Sequence, residues 1–216
     1  RGPVLSMCEG EGRNAVFLNA YPPIFFDTPR EKLNRFLSVT SHATLASDVP
    51  FFDFNDVRQE RTLYQEFTNQ LPIKNGENLP GFSPRKAGRI LANAVRRHEF
   101  SLYEYFQTDR AGHSQSRERA CHEIEKLSDF LISFLEHVDL NNTQIILTSD
   151  HGNIEDLSVK IHTMNPVMTF FWGPRSQCLA EKVTQITDIS PVILELLKVT
   201  TGEEAMKAKF LLDLCE

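Results

Sequence analysis

Apolar positions along this chain recur on two periods, and the switches between them mark out its elements. Asn14 to Tyr21 (NAVFLNAY) is a short apolar run that predicts a buried strand, ended by Pro22 and Pro23. Thr28-Pro29 predicts an N-cap and first turn, with Leu33, Phe36 and Leu37 as the stripe of a short helix. Thr40 to Ser47 has no defined type, and its His42 is an ordinary turn or helix histidine, since no acidic or histidine partner lies near it. Val57 to Gln70 is helix-like and runs into Leu71 to Ser83, which holds Pro72, Gly76, Pro80 and Gly81. Residues 48–83 are therefore a candidate lid or insertion, with an irregular connection packed on phenylalanines as the plainer alternative.

Clear helical grammar returns at Ser83-Pro84, a capping serine with proline at the first helical position. Ala87, Ile90, Leu91, Ala94 and Val95 follow at i, i+3, i+4, i+7 and i+8. Phe100 to Gln107 reads as a strand. A long helix then carries Ala120, Ile124, Leu127, Leu131, Phe134 and Val138 on one face, with His122 and His137 at the surface. Thr143 to Leu147 is β-branched and apolar, as expected of a strand buried on both faces. Val167 to Trp172 predicts another strand, stopped by Gly173-Pro174. Thr187 to Pro191 starts a helix bearing Val192, Ile193, Leu196 and Leu197, and Glu203 to Cys215 reads as a final helix. Strands alternating with helices predict an α/β fold with a mainly parallel sheet.

Composition narrows this picture. The 216 residues suit one large domain, and 41% hydrophobic with 10% aromatic content suits a folded chain. A net charge of −6 argues against nucleic acid as a partner, because no excess of Lys and Arg exists to neutralise phosphates. A small anionic substrate remains compatible where metal ions supply positive charge. Cys8, Cys121, Cys178 and Cys215 form no C-x-x-C pair, which favours reduced thiols and a cytoplasmic protein. No apolar run approaches the roughly 20 residues of a spanning helix, and Arg1 to Arg13 lacks a signal-peptide core, so no membrane partner is expected.

The candidate chemistry collects after the strands. Asp150 and His151 stand in a Gly-containing turn beyond Thr143–Leu147, with His162 shortly downstream; Asp109 and His113 flank Gly112 beyond the Phe100 strand, where a strand-to-helix loop is expected rather than a helix face. In open α/β sheets, function gathers at such strand ends. Imidazole and carboxylate without cysteine suit zinc, manganese or iron better than calcium. Two divalent metal ions held by five such ligands would form the paired clamp used for displacement at phosphorus.

TD-x-x-GH, SDHGN and HT-x-NP, in this order, resemble the metalloenzyme domain of the alkaline phosphatase superfamily, in the branch of cofactor-independent phosphoglycerate mutase and phosphopentomutase. NAYPP-x-FF, EYFQTDRAGH and TDISPVILELL extend the similarity over most of residues 14–200, to a bacterial group of metalloenzyme-domain proteins. The resemblance implies a three-layer α/β sandwich with a mainly parallel central sheet and helices on both faces. It makes Asp109, His113 and His162 ligands of one metal, Asp150 and His151 ligands of its neighbour, and manganese or zinc the expected ions.

The family's nucleophilic serine or threonine, with a further aspartate, lies upstream of the NAYPP segment and has no counterpart here. Thr40, Ser41 and Thr44 do not match its loop, so residues 1–216 are expected to be the carboxy-terminal part of a longer protein. The implied activity is metal-dependent phosphoryl transfer, as a phosphomutase or phosphatase acting on a small phosphorylated metabolite. A hydrolase of phosphodiester, phosphonate or sulfate esters and a non-catalytic metal-binding fragment are the alternatives. Arg110 is a candidate ligand for a substrate phosphate, a solvated loop arginine being the alternative. Asn153 and Glu155 are candidates to hydrogen-bond the ligand imidazoles.

Overall fold

Asn14 to Tyr21 forms two strands rather than one. β1 (Ala15–Phe17) pairs in parallel with β5 (Phe100–Leu102), whereas β2 (Asn19–Tyr21) leaves for a second sheet between β3 (Phe52–Asp53) and β4 (Leu63–Tyr64), again with parallel pairing. Leu18 is the switch: fully buried, it donates its N–H to the carbonyl of Leu102 and accepts the hydroxyl of Thr62. The structure, a computed structural model, describes residues 3–33 and 37–199. Phe36 and the helix expected from Glu203 to Cys215 lie outside them.

The chain divides into two compact units. The first takes in the described residues up to Tyr64, Ala94–Tyr103 and those from Lys182 onward. Its core gathers Leu5, Cys8, Ala15, Phe17, Val49, Leu194 and Val199 from elements far apart in sequence, the burial of each leucine, valine and phenylalanine contributing about 1.5–3 kcal/mol against chain entropy. Pro23 does more than end a strand: it opens the helix Pro23–Asp27. Thr28 donates its hydroxyl to the carbonyl of Ile24 and so closes that helix instead of capping the next, Arg30–Leu33. Thr40 to Ser47 resolves into the helix Val39–Leu45, capped by the Ser38 side chain.

The helix expected over Val57 to Gln70 is not formed. Asp53 begins a helix earlier with a capping box, Phe54–Arg58, and Glu60 adopts a left-handed backbone (φ 54°) that ends it before β4. A further helix, Gln70–Lys74, follows. Within 48–83, Phe54, Val57, Leu63, Phe67, Leu79 and Phe82 are buried.

The second unit comprises Gln65–Asn93 and Glu104–Glu181. The helix Pro84–Val95 begins as expected, with the N–H of Lys86 on the Ser83 hydroxyl. It packs closely on the helix Arg117–His137: a Cβ on Gly88 would stand 2.4 Å from the Phe130 carbonyl oxygen. Ala120, Phe134 and Val138 of the expected stripe are buried, but Ile124 is exposed and Glu123, Phe130 and Ser133 are inside as well. Glu123 meets Lys126 and the Tyr105 hydroxyl, so a satisfied carboxylate takes a buried place beside the stripe. His122 and His137 lie at the surface, as expected.

β6 (Ile145–Thr148) and β7 (Thr169–Trp172) pair antiparallel. β6 is not the doubly buried strand expected: Ile145, Ile146 and Leu147 are half-buried and Thr148 is exposed, and β7 is its one strand partner among the described residues. Gly173 ends β7 at φ 116°, where a Cβ would meet the Thr143 carbonyl oxygen at 2.3 Å. The fold is thus α/β with mainly parallel pairing, all of the parallel ladders described lying in the first unit.

Candidate metal centre

Every candidate ligand belongs to the second unit. Asp109 and His113 sit on a helix, Gln107–His113, and not in the loop the sequence suggested. The spacing i, i+4 places both on one helix face. β5 stops at Leu102 instead of running to Gln107, which leaves room for that helix to form.

Three ligand atoms converge. Oδ1 of Asp109 lies 3.3 Å from Nε2 of His113 and 3.3 Å from Nε2 of His162, and the two nitrogens are 3.3 Å apart. A tetrahedral site with bonds of about 2.0–2.2 Å has edges of about 3.3–3.6 Å, so the triangle has the size of one face of such a site. His113 is held by its other nitrogen, Nδ1, 2.7 Å from the Lys160 carbonyl oxygen.

His151 stacks on His162 with ring centroids 3.5 Å apart, and a ring nitrogen of His151 joins a carboxylate oxygen of Asp109 and a ring nitrogen of His162 in a group within 4.8 Å. Among the described residues the buried Nδ1 of His151 has no hydrogen-bond partner, which is costly unless a bound group satisfies it. Oδ2 of Asp150, a largely exposed side chain, lies 3.5 Å from Nε2 of His151. The donor set therefore fits borderline divalent cations: imidazole nitrogens and carboxylate oxygens, with no thiolate among them.

Two loops are fastened together behind these ligands. The Glu155 carboxylate accepts the N–H of Asn153 at 2.6 Å, the Asn165 amide at 3.1 Å and the Thr163 hydroxyl. The N–H of Thr163 in turn donates to the carbonyl of Gly152 at 2.9 Å. Gly152 is required there, since a Cβ would fall 2.2 Å from the Thr163 hydroxyl oxygen. These bonds, with that of the Thr163 hydroxyl foremost, hold the Glu155 carboxyl below its ordinary range. The expected contact of Glu155 with an imidazole is replaced by this link between loops. Asn153 does reach a ligand imidazole, its Nδ2 standing 3.4 Å from Nε2 of His113, and it makes a shorter bond the sequence did not suggest, donating to Oδ1 of Asp109 at 2.7 Å. The G-N-x-E and H-T-x-N spacings were the sequence signal for the link, but not for which atoms it joins.

Arg110 is exposed. Two of the three hydroxyls are committed elsewhere: buried Ser41 bonds to Tyr21 and Ser38, and buried Thr44 donates to the Thr40 carbonyl.

A profile of the Metalloenzyme superfamily matches residues 77–201. The chain belongs to this family. All five candidate ligands lie inside the match, and the alkaline-phosphatase-like α/β fold goes with the membership. Among similar proteins is a 2,3-bisphosphoglycerate-independent phosphoglycerate mutase of Aliarcobacter butzleri, 25% identical over 205 residues, covering 86% of this chain and 41% of that one. Another, from Methanococcus vannielii, is 26% identical over 104 residues, 48% of this chain and 25% of the relative. The PH0037 protein from Pyrococcus horikoshii shares the fold with a TM-score of 0.58 at 15% identity, over 90% of this chain and 52% of its own. The chain thus spans between a quarter and two fifths of these two curated relatives. Among the described residues no helix is long and apolar enough to cross a membrane. The expectation of reduced thiols holds for Cys8 and Cys121 but not for Cys178, which is disulfide-bonded: scattered spacing in sequence does not say which cysteines meet in space.

Proposed function

We propose that this member of the Metalloenzyme superfamily provides the metal-holding part of a phosphoryl-transfer enzyme, a phosphomutase or phosphatase acting on a small phosphorylated metabolite. The observation that carries the reading is the convergence of Asp109, His113 and His162 at mutual distances of 3.3 Å, within a chain similar to phosphoglycerate mutases. Asp109, His113 and His162 would hold one divalent ion, manganese or zinc, and Asp150 with His151 would contribute to a second.

Bound there, such ions supply the positive charge that stabilises a transferring phosphoryl group and acidifies a nucleophilic hydroxyl. The chain's own contribution is to orient: Lys160 fixes the His113 ring, and Glu155 holds the His162 loop against the Asp150 turn. Arg110, exposed beside Asp109, would meet a substrate phosphate. The serine or threonine nucleophile is proposed to come from outside these 216 residues, since Ser41 and Thr44 are buried and bonded. Transfer to water would make a phosphatase, and transfer to a second hydroxyl of the substrate a mutase. A cytoplasmic location, with neither nucleic acid nor membrane as partner, completes the proposal. The net charge of −6 supports the exclusion of nucleic acid, and the free Cys8 and Cys121 fit the location, whereas the disulfide-bonded Cys178 counts against it.

The test is an assay of the intact gene product with manganese or zinc against phosphomonoesters, sugar phosphates and phosphodiesters. Turnover of a monoester is expected. Turnover of diesters alone would move the protein to another hydrolase class on the same scaffold, and turnover of neither would contradict the enzymatic reading.

A further inference from the structure

Asp109 supplies the carboxylate corner of the triangle, its Oδ1 3.3 Å from Nε2 of both His113 and His162. A carboxylate on a two-bond side chain can swing, so something must fix it. The group that reaches it is buried Asn153, 6% exposed, whose side chain lies 2.7 Å from that same oxygen. A carboxylate only accepts, so the facing atom of Asn153 is its NH2 nitrogen and its carbonyl oxygen points the other way. That oxygen fits against Gly112: a Cβ added to Gly112 would stand 1.6 Å from Oδ1 of Asn153 and 2.6 Å from its Cγ. Gly112 is the next-to-last residue of the ligand helix and has no positive φ, so the close approach of Asn153, not its backbone, accounts for the missing side chain. A helical glycine costs about 1 kcal/mol relative to alanine, and here the empty position is filled by the amide of a residue from the other metal-binding loop.

We infer that Asn153 is the positioning residue that aims the Asp109 carboxylate, and that Gly112 is the socket that admits it. The inference rests on the metal-centre reading above. The arrangement joins the TD-x-x-GH helix to the SDHGN turn before any ion binds. The bond from Nδ2 of Asn153 uses one lone pair of Oδ1 and leaves the carboxylate further lone pairs for an ion. Asn153 itself stays bound to the loop link through its backbone N–H on Glu155, so the aim of Asp109 depends on the loop that also delivers His151.

The purified protein and three variants, Asn153→Leu, Gly112→Ala and His162→Ala, are titrated with Zn2+ alone and with Mn2+ alone by calorimetry, and the unfolding midpoints of the metal-free proteins are measured alongside. Asn153→Leu keeps the side-chain volume and loses the donor; Gly112→Ala keeps the donor and blocks its place. Both are expected to weaken metal binding about 10- to 100-fold, the usual effect of removing a group that orients a ligand. A merely structural role would lower the metal-free midpoint and leave the dissociation constant within about threefold, which overturns the inference. Should Gly112→Ala fail to fold, Asn153→Ser leaves the socket open, cannot reach Asp109, and carries the same expectation. Normal metal binding by His162→Ala would sink the metal-centre reading, whereas loss in His162→Ala with none in Asn153→Leu would sink only the role of Asn153.

Discussion

His113 donates its Nδ1 proton to the carbonyl of Lys160 at 2.7 Å. A carbonyl cannot donate, so this bond selects the neutral tautomer with a bare Nε2, and that nitrogen is the one facing Asp109 and His162. The ring is thus prepared as a ligand by the backbone of the loop that brings His162. In 15N spectra of the metal-free protein at a pH where the imidazole is neutral, His113 should show a protonated Nδ1 and an unprotonated Nε2. The opposite tautomer would remove this orienting role from Lys160.

The link between Glu155 and Thr163 gives a second expectation. Thr163→Val keeps the side-chain shape and deletes the donated hydroxyl, while Thr163→Ser keeps the hydroxyl. The valine variant should loosen the His162 loop, seen as faster amide exchange over residues 160–165, and the serine variant should not. Equal exchange in both would show that the hydroxyl does not hold the loop.

The same carboxylate sets a pH dependence. Its folded-state pKa is depressed, chiefly by the Thr163 hydroxyl, with the Asn165 and Asn153 donors adding to it. The stabilisation is then fully present above the unfolded value, about 4.3, and is lost as pH falls through the lower folded value. Amide exchange in the loop should be flat from neutral pH to about 5, after correction for the intrinsic rate, and should rise in stronger acid. In Glu155→Gln that acid step should be absent.

Gly88 offers a test of packing away from the centre. An added Cβ would meet the carbonyl oxygen of Phe130 at 2.4 Å and the backbone nitrogen of Phe134 at 2.8 Å, neither of which can turn aside. Gly88→Ala should destabilise by about 1–3 kcal/mol in urea unfolding despite alanine's better helix propensity. A neutral or stabilising effect would mean that the two helices are not in this close contact.

Lys126 is surrounded by buried acid. Its Nζ lies 2.8 Å from Oε2 of Glu123 and 3.5 Å from Oε1 of Glu66, beside the rings of Phe67 and Tyr105. Lys126→Met would leave two buried carboxylates without their cation, a change that costs about 3–5 kcal/mol when one partner of a buried pair is removed. Urea midpoints at pH 7 measure it, and a loss below about 1 kcal/mol would contradict the burial described.

How much of this was legible in the sequence follows the range of the forces. The helix at Ser83-Pro84 was readable because its cap, its proline and its apolar period are all local. The division of Asn14–Tyr21 at Leu18 was not, because it depends on which distant strand each half pairs with. Asp109 and His113 were recognisable as ligand types, yet their helix was hidden: Gly112 signals a loop until its contact with Asn153 is known. Glu155 carried a similar ambiguity, since a carboxylate near two histidines can serve either a ring or a neighbouring turn. The burial of β6 was over-read, because an apolar run does not state how many strands flank it.

The central claim is that Asp109, His113, Asp150, His151 and His162 bind divalent metal. Elemental analysis and metal titration of the purified protein beside His162→Ala test it most directly. The account predicts bound manganese or zinc in the parent and a loss of affinity greater than about 100-fold in the variant, beyond the usual cost of losing only an orienting group. Equal stoichiometry and affinity in the two proteins would contradict it.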